Sequence, residues 1–587
     1  MQTIQKLLFL LTLHERKRAA LLLFMVLIMA LLDMIGVASI LPFMAVLTNP
    51  SLVETNLILN TMYQFSNIFG VGNNQEFLFS LGILVLLLLV ISLTFKALTT
   101  YVEVHFMQMC EYNISRRLVE GYLHQPYTWF LNRNSAELGK SILSEVGIVT
   151  ANSIKPLISL ISKSMIAIAL ISLLVIADPK LSLIVGLTLS LVYGIIFYFT
   201  RKYLSQFGKE NLKNNELRFI AVNEAFGAVK EIKVGGLEHA YIKSFSNAAK
   251  IFAKNKAYLQ VISQLPRYIL EAIAFGGIML IILYAMRQTG SFGNALPIIS
   301  LYVFAGYRLM PVMQNIYVSL NQLSFSGASL DSLYDNIVKL EPNNKNQLNE
   351  ALNFNKEIAL KNIDFNYPNT PRKALQGVNL NIAAKSTVGL IGATGSGKTT
   401  IVDIILGLLE AQKGVLEVDG EVITKKNLRS WQSSIGYVPQ HIYLSDESIA
   451  ANIAFGTEPK NINHANVEEA SKIANLHDFV INELPNQYDT VIGERGIRLS
   501  GGQRQRIGIA RAIYLNPKVL ILDEGTSALD NETEEKVMES INKLNKKITI
   551  ILIAHRLNTV KNCDKIYKFE KGKLIGQGKF DEIVNVS

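Results

Sequence analysis

The amino-acid sequence predicts a multidomain membrane protein: an N-terminal all-α domain of six transmembrane helices, followed by a C-terminal α/β domain. Three observations predict this division. Long uncharged apolar runs fill the chain up to about residue 320. Beyond about residue 345, polar and apolar residues alternate as they do in a soluble domain. Within that second half, a glycine-rich loop at 392–400 stands between an apolar strand and a helical run.

The composition favours a membrane protein over a nucleic-acid-binding protein. Of the 587 residues, 50% are hydrophobic, and the mean hydropathy is +0.27. The formal net charge of +10 fits a membrane protein, because Lys and Arg concentrate in cytoplasmic loops. No basic tract is interleaved with aromatic residues, so we expect no nucleic-acid partner. Cys110 and Cys563 are far apart and predict neither a disulfide framework nor a metal site.

Six apolar segments are long enough to cross a bilayer, which takes about 20 residues of helix. They cover residues 19–47, 77–101, 152–177, 181–200, 262–286 and 294–319. The first segment is too long for the apolar part of a cleavable signal, so we expect it to remain as a span. Residues 1–18 combine a face of Leu and Phe with a basic end, which predicts an amphipathic helix on the inner membrane surface.

The distribution of basic residues predicts the orientation. No Lys or Arg occurs between Arg18 and Lys96, whereas the connection 201–258 contains eleven. By the positive-inside rule the first loop faces outside and 201–258 faces the cytoplasm, so both termini are cytoplasmic. The outer loop 48–76 has apolar residues at roughly helical spacing. A short helix on the outer leaflet and a packed loop both remain open for it.

The domain boundaries follow from the same patterns. The membrane domain is predicted at 19–325, a linker at 326–350 and the α/β domain at 351–587. The two long cytoplasmic connections are polar but compatible with helix, so we expect the spans to continue into the cytosol. These extensions turn near 126–137 and 232–241, and each turn could carry motion to the membrane helices.

The stretch GATGSGKTT at 392–400 matches the P-loop pattern, between the apolar strand STVGLI and the helical run IVDIILGLL. Its glycines allow backbone amides to close around phosphates at the positive end of a helix. Lys398 supplies a cation for the β- and γ-phosphates, and Thr399 supplies a hydroxyl for Mg²⁺. The candidate ATP-binding residues of this loop are Gly392, Gly395, Ser396, Gly397, Lys398, Thr399 and Thr400.

The stretch KVLILDEGTSALD at 518–530 places two acids at the end of a buried strand. An acid at the carboxyl end of a strand beside a P-loop is where Mg²⁺ is held, so Asp523 is predicted as the metal-side carboxylate. Glu524 is then placed to polarise the attacking water and is the candidate catalytic base. Together these parts define a P-loop ATPase that uses ATP and Mg²⁺.

The segment LSGGQRQRIGIARA, together with DEGTSALD, resembles the nucleotide-binding domain of ABC transporters. This resemblance implies roles for further residues. Tyr367 matches the aromatic residue that stacks on adenine, Gln440 matches the glutamine that senses Mg²⁺ and the γ-phosphate, and His555 matches the catalytic switch histidine. The signature segment and the loop after Asp523 are implied in ATP binding through Ser500, Gly501, Gly502, Gln503 and Asp530.

The segment TVIGERGIRLSGGQ at 490–503 is similar to an exporter-specific stretch, in which Glu494 and Arg495 couple to the membrane helices. Six spans ahead of one such domain also resemble an ABC exporter of the half-transporter type. In this family the signature segment of one domain closes over ATP bound to the P-loop of another. The sequence carries one intact copy of each part, so the resemblance implies a homodimer with two equivalent ATP sites.

Three charges are predicted at one depth of the membrane domain. Arg308, Glu271 and Asp33 each lie about 14 or 15 residues, or roughly 21 Å, from the outer end of their spans. Arg267 lies one helical turn below Glu271. Intramembrane charges face the bundle interior, where they pair with one another or line a pathway. Two interpretations therefore stay open: a structural ion pair of Arg308 with Glu271 or Asp33, and a polar lining for a ligand with an anionic head.

The segments LPRYILEAIAFGG (265–277) and YRLMP (307–311) are similar to bacterial lipid-linked oligosaccharide flippases. The resemblance implies that basic residues facing a cavity engage a pyrophosphate head while the polyprenyl tail stays in lipid. It implies an ATP-driven flippase of the bacterial inner membrane that moves a lipid-linked glycan from the inner to the outer leaflet. The candidate substrate residues are then Arg308, Glu271, Arg267 and Asp33.

Other functions remain open at this point. An ABC exporter of drugs, peptides or another lipid would share the same ATPase domain. A P-loop ATPase of nucleic-acid repair or translation predicts a soluble protein, which the six apolar spans contradict. An ATP-gated channel or regulatory membrane ATPase would hydrolyse ATP without net vectorial transport.

Overall fold

The structure is a computed structural model. It describes residues 2–584 with the exceptions of 49, 69, 178, 288–291, 342–351, 353, 369, 371, 494–495, 497, 526–529, 543–546 and 555–556. Some further side chains within helices are also not described, among them that of Arg308. The predicted functional positions Glu494, Arg495 and His555 therefore lie outside the described residues.

The chain divides into two compact units. The first comprises Met1–Gln125 and Asn132–Pro342, and the second comprises Pro126–Leu131 and Asn343–Ser587. The short segment Pro126–Leu131 lies within the predicted coupling turn 126–137, whose role in coupling stays a prediction.

Helices build the first unit, because its long apolar runs are rich in residues that favour helix and contain few that interrupt it. In chain order, the helices before the first strand are α1 (Gln2–Leu10), α2 (Leu13–Ala38), α3 (Ile40–Thr48), α4 (Leu52–Thr55), α5 (Leu57–Asn67), α6 (Asn74–Leu123), α7 (Tyr127–Phe130, in the second unit), α8 (Ser135–Lys140), α9 (Val146–Val149), α10 (Lys155–Ala177), α11 (Pro179–Gly227), α12 (Val229–Gly235), α13 (Glu238–Arg287) and α14 (Phe292–Val338). Two π-helical turns, Ser141–Glu145 and Thr150–Ile154, join α8, α9 and α10 into one continuous helix.

Three helices within the described part of the chain are long and apolar enough to cross a membrane. They are Leu13–Gly36, Asn74–Leu123 and Ser135–Ile176. The other predicted spans, 181–200, 262–286 and 294–319, fall in α11, α13 and α14, where many side chains are not described. The membrane character of the unit is thus supported, and the number of six spans stays a prediction.

The predicted helix 1–18 is shorter in the structure. α1 ends at Leu10, and α2 begins at Leu13 rather than at residue 19. The break arises from Thr12 and Glu15. The backbone N–H of Thr12 donates to Oε2 of Glu15 over 2.7 Å, and the N–H of Glu15 donates to the Thr12 hydroxyl over 3.3 Å. Such a reciprocal pair is a capping box, which starts a new helix.

Two other predicted boundaries also change. The first span, predicted as 19–47, is divided at Ser39, whose hydroxyl donates to the carbonyl of Gly36 over 2.9 Å. The segment 326–350, predicted as a linker, is helical as far as Val338. The helix continues there because its inner face stays apolar and becomes buried through Leu330 and Leu333.

The outer loop 48–76 forms helices α4 and α5 rather than an irregular loop. Asn56 caps the second of them, because its side-chain oxygen accepts from the backbone N–H groups of Ile58 and Leu59. Val53 and Leu59 are buried in an apolar cluster with Phe77 of α6. The helical spacing of apolar residues in this loop therefore corresponds to two short helices.

Helices α2, α10 and α14 share an apolar core. Its buried members are Met29, Ala30, Ile166, Ala167, Leu170, Leu174 and Leu309. Further along, α11 approaches α14 so closely that only glycine fits at Gly208. A Cβ atom there would lie 1.8 Å from the carbonyl oxygen of Phe325. Backbone contact of this kind fixes the axial register of two helices.

An ionic cluster, buried at Lys140 and Glu145 and 45% exposed at Glu216, joins α8, the first π-helical turn and α11. The ammonium of Lys140 lies 3.1 Å from Oε1 of Glu145 and 3.0 Å from Oε2 of Glu216. The side chains of Lys140 and Glu145 are 4% and 0% exposed. Charges buried to this extent must be paired, so the three residues hold these helices in one arrangement.

The second unit is α/β. Its strands are β1 (Glu357–Phe365), β2 (Leu375–Ala383), β3 (Thr387–Gly392), β4 (Lys413–Val418), β5 (Glu421–Val422), β6 (Ile435–Val438), β7 (Val519–Asp523), β8 (Thr549–Ile553), β9 (Lys565–Glu570) and β10 (Lys573–Gly578). Its further helices are α15 (Lys398–Ile405), α16 (Leu428–Gln432), α17 (Ile449–Ile453), α18 (His464–Ile473), α19 (His477–Glu483), α20 (Gly501–Tyr514), α21 (Asn531–Asn542) and α22 (Phe580–Val584).

The strands of the second unit form two sheets. A four-stranded antiparallel sheet has the order β2-β1-β4-β5, and a six-stranded sheet has the order β10-β9-β3-β8-β7-β6. In the larger sheet β9, β3, β8, β7 and β6 run parallel. Strands β7 and β8 are buried along their whole length, as expected of parallel strands covered on both faces.

Two apolar cores support this sheet. One lies against α15 and contains Trp431, whose indole N–H donates to the carbonyl of Ile405 over 2.6 Å. The other lies against the helical segment that carries α17, α18 and α20. The sheet is therefore packed on both faces, and its carboxyl edge is held in place for the site described next.

Candidate functional site

Four neighbouring parallel strands bring the predicted ATPase residues to one edge of the larger sheet. The P-loop follows β3, Asp523 ends β7, and Gln440 lies two residues beyond β6. Strand β8, between β3 and β7, ends two residues before His555, which lies outside the described residues. Because the carboxyl ends of parallel strands meet at one edge, this edge is where a ligand is expected to bind.

The P-loop has the backbone geometry that its glycines were predicted to allow. Gly392, Gly395 and Gly397 have φ angles of 147°, 76° and 104°. A Cβ atom on Gly392 would lie 2.3 Å from the carbonyl oxygen of Phe569, and one on Gly397 would lie 2.9 Å from that of Ala374. A Cβ at Gly395 would meet no atom within 4 Å, so the middle of the loop is open to a ligand.

Two polar groups of the loop fit an anionic ligand. The ammonium of Lys398 donates to the carbonyls of Gly392 over 2.8 Å and Ala393 over 3.1 Å. Burial lowers the pKa of Lys398, while the nearby carboxylates of Glu524 and Asp523 act in the opposite direction. The hydroxyl of Ser396 is buried without a hydrogen-bond partner among the described residues. A buried hydroxyl without a partner favours a ligand that accepts a hydrogen bond from it.

A cleft of about 540 Å³ lies over the loop. The predicted residues that line it are Tyr367, Gly395, Gly397, Lys398, Thr399, Thr400, Gln440 and Glu524. The ring of Tyr367 packs edge-on against Phe365, and its hydroxyl lies 3.2 Å from that of Thr400. Burial raises the pKa of Tyr367. The phenol is therefore neutral. Its contacts with Phe365 and Thr400 fix the ring in the lining of the cleft.

Glu524 is held from two sides. Its Oε2 accepts from Nε2 of Gln440 over 2.9 Å, and its backbone carbonyl accepts from Nε2 of Gln505 over 3.3 Å. Glu524 adopts a φ of 52°, in the left-handed region that a residue with a side chain rarely visits. Backbone strain of this kind clusters at functional sites and persists only where surrounding contacts impose it. The geometry thus holds Glu524 beside the cleft, and its role as catalytic base stays a prediction.

The donor set fits Mg²⁺. Asp523 is 5% exposed at the end of β7, and Thr399 and Gln440 line the same cleft. A carboxylate, a hydroxyl and an amide supply oxygen ligands, which Mg²⁺ prefers together with phosphate oxygens. When bound, Mg²⁺ would neutralise negative charge between the β- and γ-phosphates of ATP.

The signature segment begins helix α20. The hydroxyl of Ser500 accepts from the backbone N–H of Gln503 over 3.1 Å, and Oε1 of Gln503 accepts from the N–H of Ser500 over 2.8 Å. This capping box uses the side chain of Gln503 to hold the start of the helix. Gly501 and Gly502 form the first turn, and their backbone N–H groups point out of the helix end.

The signature residues are not among the described residues that line the cleft of this chain. Asp530 has a local structural role, because its Oδ1 accepts from the backbone N–H of Thr533 over 2.9 Å at the start of α21. That hydrogen bond is the main cause of the lowered pKa of Asp530. A single chain thus gathers the P-loop half of the predicted site and leaves the signature half elsewhere.

Six residues near the cleft were not predicted from the sequence. Five of them line it: Thr370, Arg372, Lys373, Ala374 and Thr394. Arg372 and Lys373 had a visible signal, because they are cations a few residues after Tyr367. Asp403 of α15 has its pKa raised to about 6 by burial and by the charge of Asp523. No local pattern indicated Asp403, because its environment depends on how α15 packs on the sheet.

In the first unit, two of the predicted intramembrane charges form an ion pair with each other, and a third accepts a hydrogen bond from a hydroxyl group. The guanidinium of Arg267 lies 2.8 Å from Oε1 of Glu271, one helical turn further along α13. Asp33 is buried and accepts from the hydroxyl of Ser92 over 2.8 Å. The side chain of Arg308 lies outside the described residues, so both interpretations of its role stay open. Within what the structure describes, Glu271 is engaged by Arg267.

The fold and the site define a class of protein: an α/β ATPase domain of P-loop type joined to an all-α membrane domain. The family described as ABC transporter matches residues 375–527, and the family described as ABC transporter transmembrane region matches residues 21–311. The two matches occur in the order expected from the sequence.

Curated relatives match over most of the chain. The ATP-dependent lipid A-core flippase of Wigglesworthia glossinidia brevipalpis is 32% identical over 481 residues, which is 80% of this chain and 81% of the relative. The ATP-dependent lipid A-core flippase of Cupriavidus metallidurans is 30% identical over 471 residues, 80% of this chain and 78% of the relative. That of Saccharophagus degradans is 41% identical over 262 residues, a match that spans 44% of each chain.

A solved structure shares the fold. The structure of a bacterial Atm1-family ABC exporter with ATP bound superposes with a TM-score of 0.75 at 23% identity, over 97% of this chain and 96% of that chain. The chain therefore belongs to the ABC transporter family. It is an ATP-driven exporter that couples ATP hydrolysis to transport.

Proposed function

We propose that the exporter is a flippase that moves a lipid-linked oligosaccharide, attached through pyrophosphate to a polyprenyl tail, from the inner to the outer leaflet of a bacterial inner membrane. The observation that carries this proposal is the cation Arg267 in the stretch LPRYILEAIAFGG. Its side chain is 61% exposed in the single chain although it sits in a predicted span. A cation left accessible at that depth suits an anionic headgroup.

The names of the relatives support a lipid as the cargo. Several of them are flippases of lipid A-core, so a flippase mechanism is common among proteins similar to this one. The helices α4 and α5 carry exposed apolar side chains, among them Leu57, Ile58 and Phe65. Such a surface at the predicted outer leaflet suits a substrate with a long hydrocarbon tail.

The exporter acts as a homodimer with two equivalent ATP sites and both termini in the cytoplasm. This assembly is supported by the position of Ser500, Gly501 and Gly502, which do not line the cleft that contains the P-loop of their own chain. A second copy could bring its α20 over that cleft, where backbone N–H groups at a helix start favour a phosphate. Both halves of such a site are intact in one sequence.

Each polar residue of the cleft has a distinct role in ATP hydrolysis. Lys398 releases the P-loop carbonyls and binds the β- and γ-phosphates, while Tyr367 stacks on adenine. Thr399, Asp523 and Gln440 would hold Mg²⁺. Glu524 accepts a proton from the attacking water, and His555 contacts the γ-phosphate. Gln440 donates a hydrogen bond to Glu524, so the metal-side amide and the catalytic base are coupled within the cleft.

Translocation in proteoliposomes tests the proposal. A polyprenyl-pyrophosphate that carries a fluorescent oligosaccharide is added to vesicles with the wild-type protein, with Arg308→Ala or with Glu271→Ala. We expect ATP-dependent translocation by the wild type and at least about a tenfold loss with Arg308→Ala, as a cation proposed to contact the headgroup is removed. No translocation by active wild-type ATPase would contradict the proposed substrate.

The two interpretations of Arg308 give different results in the same assay. If the residue binds the headgroup, Arg308→Ala stays defective in the double variant with Glu271→Ala. If Arg308 and Glu271 only form an ion pair, the double variant regains translocation, because neither member of that pair is left without the other. Unaltered translocation in both single variants would remove the headgroup role.

A second candidate function is export of another lipid, which the lipid A-core flippases among the relatives favour. The same vesicles, loaded with lipid A-core instead of the polyprenyl glycolipid, distinguish the two. Faster translocation of lipid A-core, with no response to the polyprenyl glycolipid, would favour this second candidate.

A further inference from the structure

A polar seam joins three helices of the first unit. Tyr193 of α11, Ser263 of α13, and Gln314, Tyr317 and Asn321 of α14 meet there. Four of the five are less than a tenth exposed: Tyr193, Ser263, Tyr317 and Asn321. Residues 314, 317 and 321 share one face of α14, because their spacing follows the helical repeat.

Gln314 is the residue that links all three helices. Its Nε2 donates to the backbone carbonyl of Ser263 over 2.6 Å. Its Oε1 accepts from the hydroxyl of Tyr193 over 3.3 Å. The side-chain amide of Gln314 thus bridges the hydroxyl on α11 and the main chain of α13.

The main-chain position that Gln314 reaches is an unusual one. Pro266 lies inside α13 and has no N–H group, so the helical hydrogen bond from residue 266 to the carbonyl of Ile262 is missing. The next carbonyl, that of Ser263, is the helical acceptor for the N–H of Arg267. Gln314 therefore contacts the turn that holds Arg267, directly beside the point where proline weakens the helix.

Arg267 in turn has an oriented side chain. Its Nε donates to Oε1 of Glu271 over 2.8 Å, so the direction of the guanidinium depends on the backbone of this one turn. A shift of this turn would move the side chains of Arg267 and Glu271 together. A contact on the Ser263 carbonyl is thus able to set where the guanidinium lies without touching it.

We propose that Gln314 is a positioning residue for the headgroup site: by holding the Ser263 carbonyl, it fixes the proline-interrupted turn of α13 and places Arg267 for an anionic headgroup. The inference rests on the proposed function, because Arg267 is there assigned to the headgroup. It adds a specific link between α14 and α13 that acts through backbone and not through direct contact with the lipid.

The central variant is Gln314→Met, which keeps the length of the side chain and removes both hydrogen bonds. The apparent KM for the polyprenyl-pyrophosphate glycolipid is expected to rise about three- to tenfold, the range for one lost buried hydrogen bond. The maximal translocation rate should change much less, because the ATP site is untouched.

Two further variants of the seam serve as controls. Tyr193→Phe removes the bond to Oε1 of Gln314 and leaves the bond to the Ser263 carbonyl. It should therefore raise the KM less than Gln314→Met does. Tyr317→Phe removes a buried hydroxyl that has no hydrogen-bond partner within the described chain, so the KM should not change. A rise in KM with Tyr317→Phe equal to that with Gln314→Met would reduce the effect to general packing and overturn the inference.

A double-mutant cycle with Arg267→Ala decides whether Gln314 acts through Arg267. If it does, the KM of the double variant equals that of Arg267→Ala alone, because there is no guanidinium left to position. Independent, multiplied effects of the two substitutions would overturn the inference while leaving the proposed function intact. Failure of the wild type to translocate the glycolipid, or an unchanged KM with Arg267→Ala, would overturn the proposed headgroup site itself.

Discussion

Nε2 of Gln440 donates to Oε2 of Glu524 over 2.9 Å and so joins the segment after β6 to the acid that follows β7. The bond links the candidate catalytic base to a loop that begins at the carboxyl edge of the sheet. Glu524 is held here with a left-handed φ of 52°. Its carboxylate is thereby fixed beside the cleft instead of being free to rotate into solvent.

Replacement of this carboxylate is the first prediction. Glu524→Gln should lower the rate of ATP hydrolysis at least about a hundredfold, because an amide is not a general base. ATP should still bind, since Lys398 and Tyr367 are unchanged. Steady-state hydrolysis and binding of a fluorescent ATP analogue measure the two effects separately.

A comparison with Gln440→Ala shows whether Glu524 acts by itself. That variant keeps the carboxylate and loses its hydrogen bond, so we expect a smaller loss of rate than in Glu524→Gln. Near-normal hydrolysis by Glu524→Gln would remove Glu524 from its assigned role.

The second prediction concerns the composite site. Lys398→Ala removes the P-loop cation, and Ser500→Arg obstructs the start of α20, so each variant alone should be inactive. When the two variants are mixed and assembled at random, half of the dimers carry one chain of each kind and have one intact site. About a quarter of wild-type ATPase activity should then return, if the sites act independently. Absence of any recovery would contradict a site shared between two chains.

The third prediction concerns the buried ionic cluster. Lys140→Met leaves Glu145 buried without its cation and should lower the free energy of unfolding by about 3–5 kcal/mol. The double variant Lys140→Met/Glu145→Leu should recover part of that loss, because no unpaired charge remains at that position. Thermal unfolding of the full chain in detergent measures both.

A surface ion pair provides the matched control. Lys233 and Glu238 lie 3.0 Å apart, with side chains 69% and 42% exposed. Lys233→Met should change the free energy of unfolding far less than Lys140→Met, since water solvates the remaining charge. Equal losses at the two sites would contradict the stabilising role of burial.

The fourth prediction concerns Cys563. Burial, with a contribution from the charge of Asp564, raises the pKa of its thiol to about 12. Because of this raised pKa, the thiolate fraction at pH 8 should be about a thousandfold below that of an ordinary thiol. Only the thiolate reacts with an alkylating reagent, so the reaction should be slowed to a similar extent. In a Cys110→Ala background, iodoacetamide at pH 8 should label the folded chain very slowly and the denatured chain rapidly, as mass spectrometry would show. Rapid labelling of the folded chain would contradict the buried position.

The ATP site was predictable to a large extent, for a physical reason. A phosphate is bound by a contiguous loop whose glycines must tolerate positive φ, so GATGSGKTT carries its geometry within nine residues. The acids Asp523 and Glu524 come directly after four consecutive apolar residues, which indicate a strand buried on both faces. Three parts of one site are therefore visible in local patterns, even though β3 and β7 are distant in the chain.

Boundaries and capping were less predictable. The division at Ser39 and the extension of α14 to Val338 depend on one hydrogen bond and on buried leucines, which hydropathy does not distinguish from their neighbours. The capping use of Gln503 was also missed. Its signal, Ser500 followed three residues later by Gln503, was present in the sequence but was assigned only to the ligand.

By itself, the sequence determined the two-part architecture, the P-loop chemistry and the presence of charges in an apolar domain, because these depend on composition and on residues close together in the chain. Only the tertiary structure decided which charges and amides meet. Lys140 reaches Glu216, Asp33 reaches Ser92, and Gln314 reaches Ser263, each across more than forty residues of chain. Those encounters follow from the rotation and axial shift of long helices against one another, which packing sets and which no local pattern specifies.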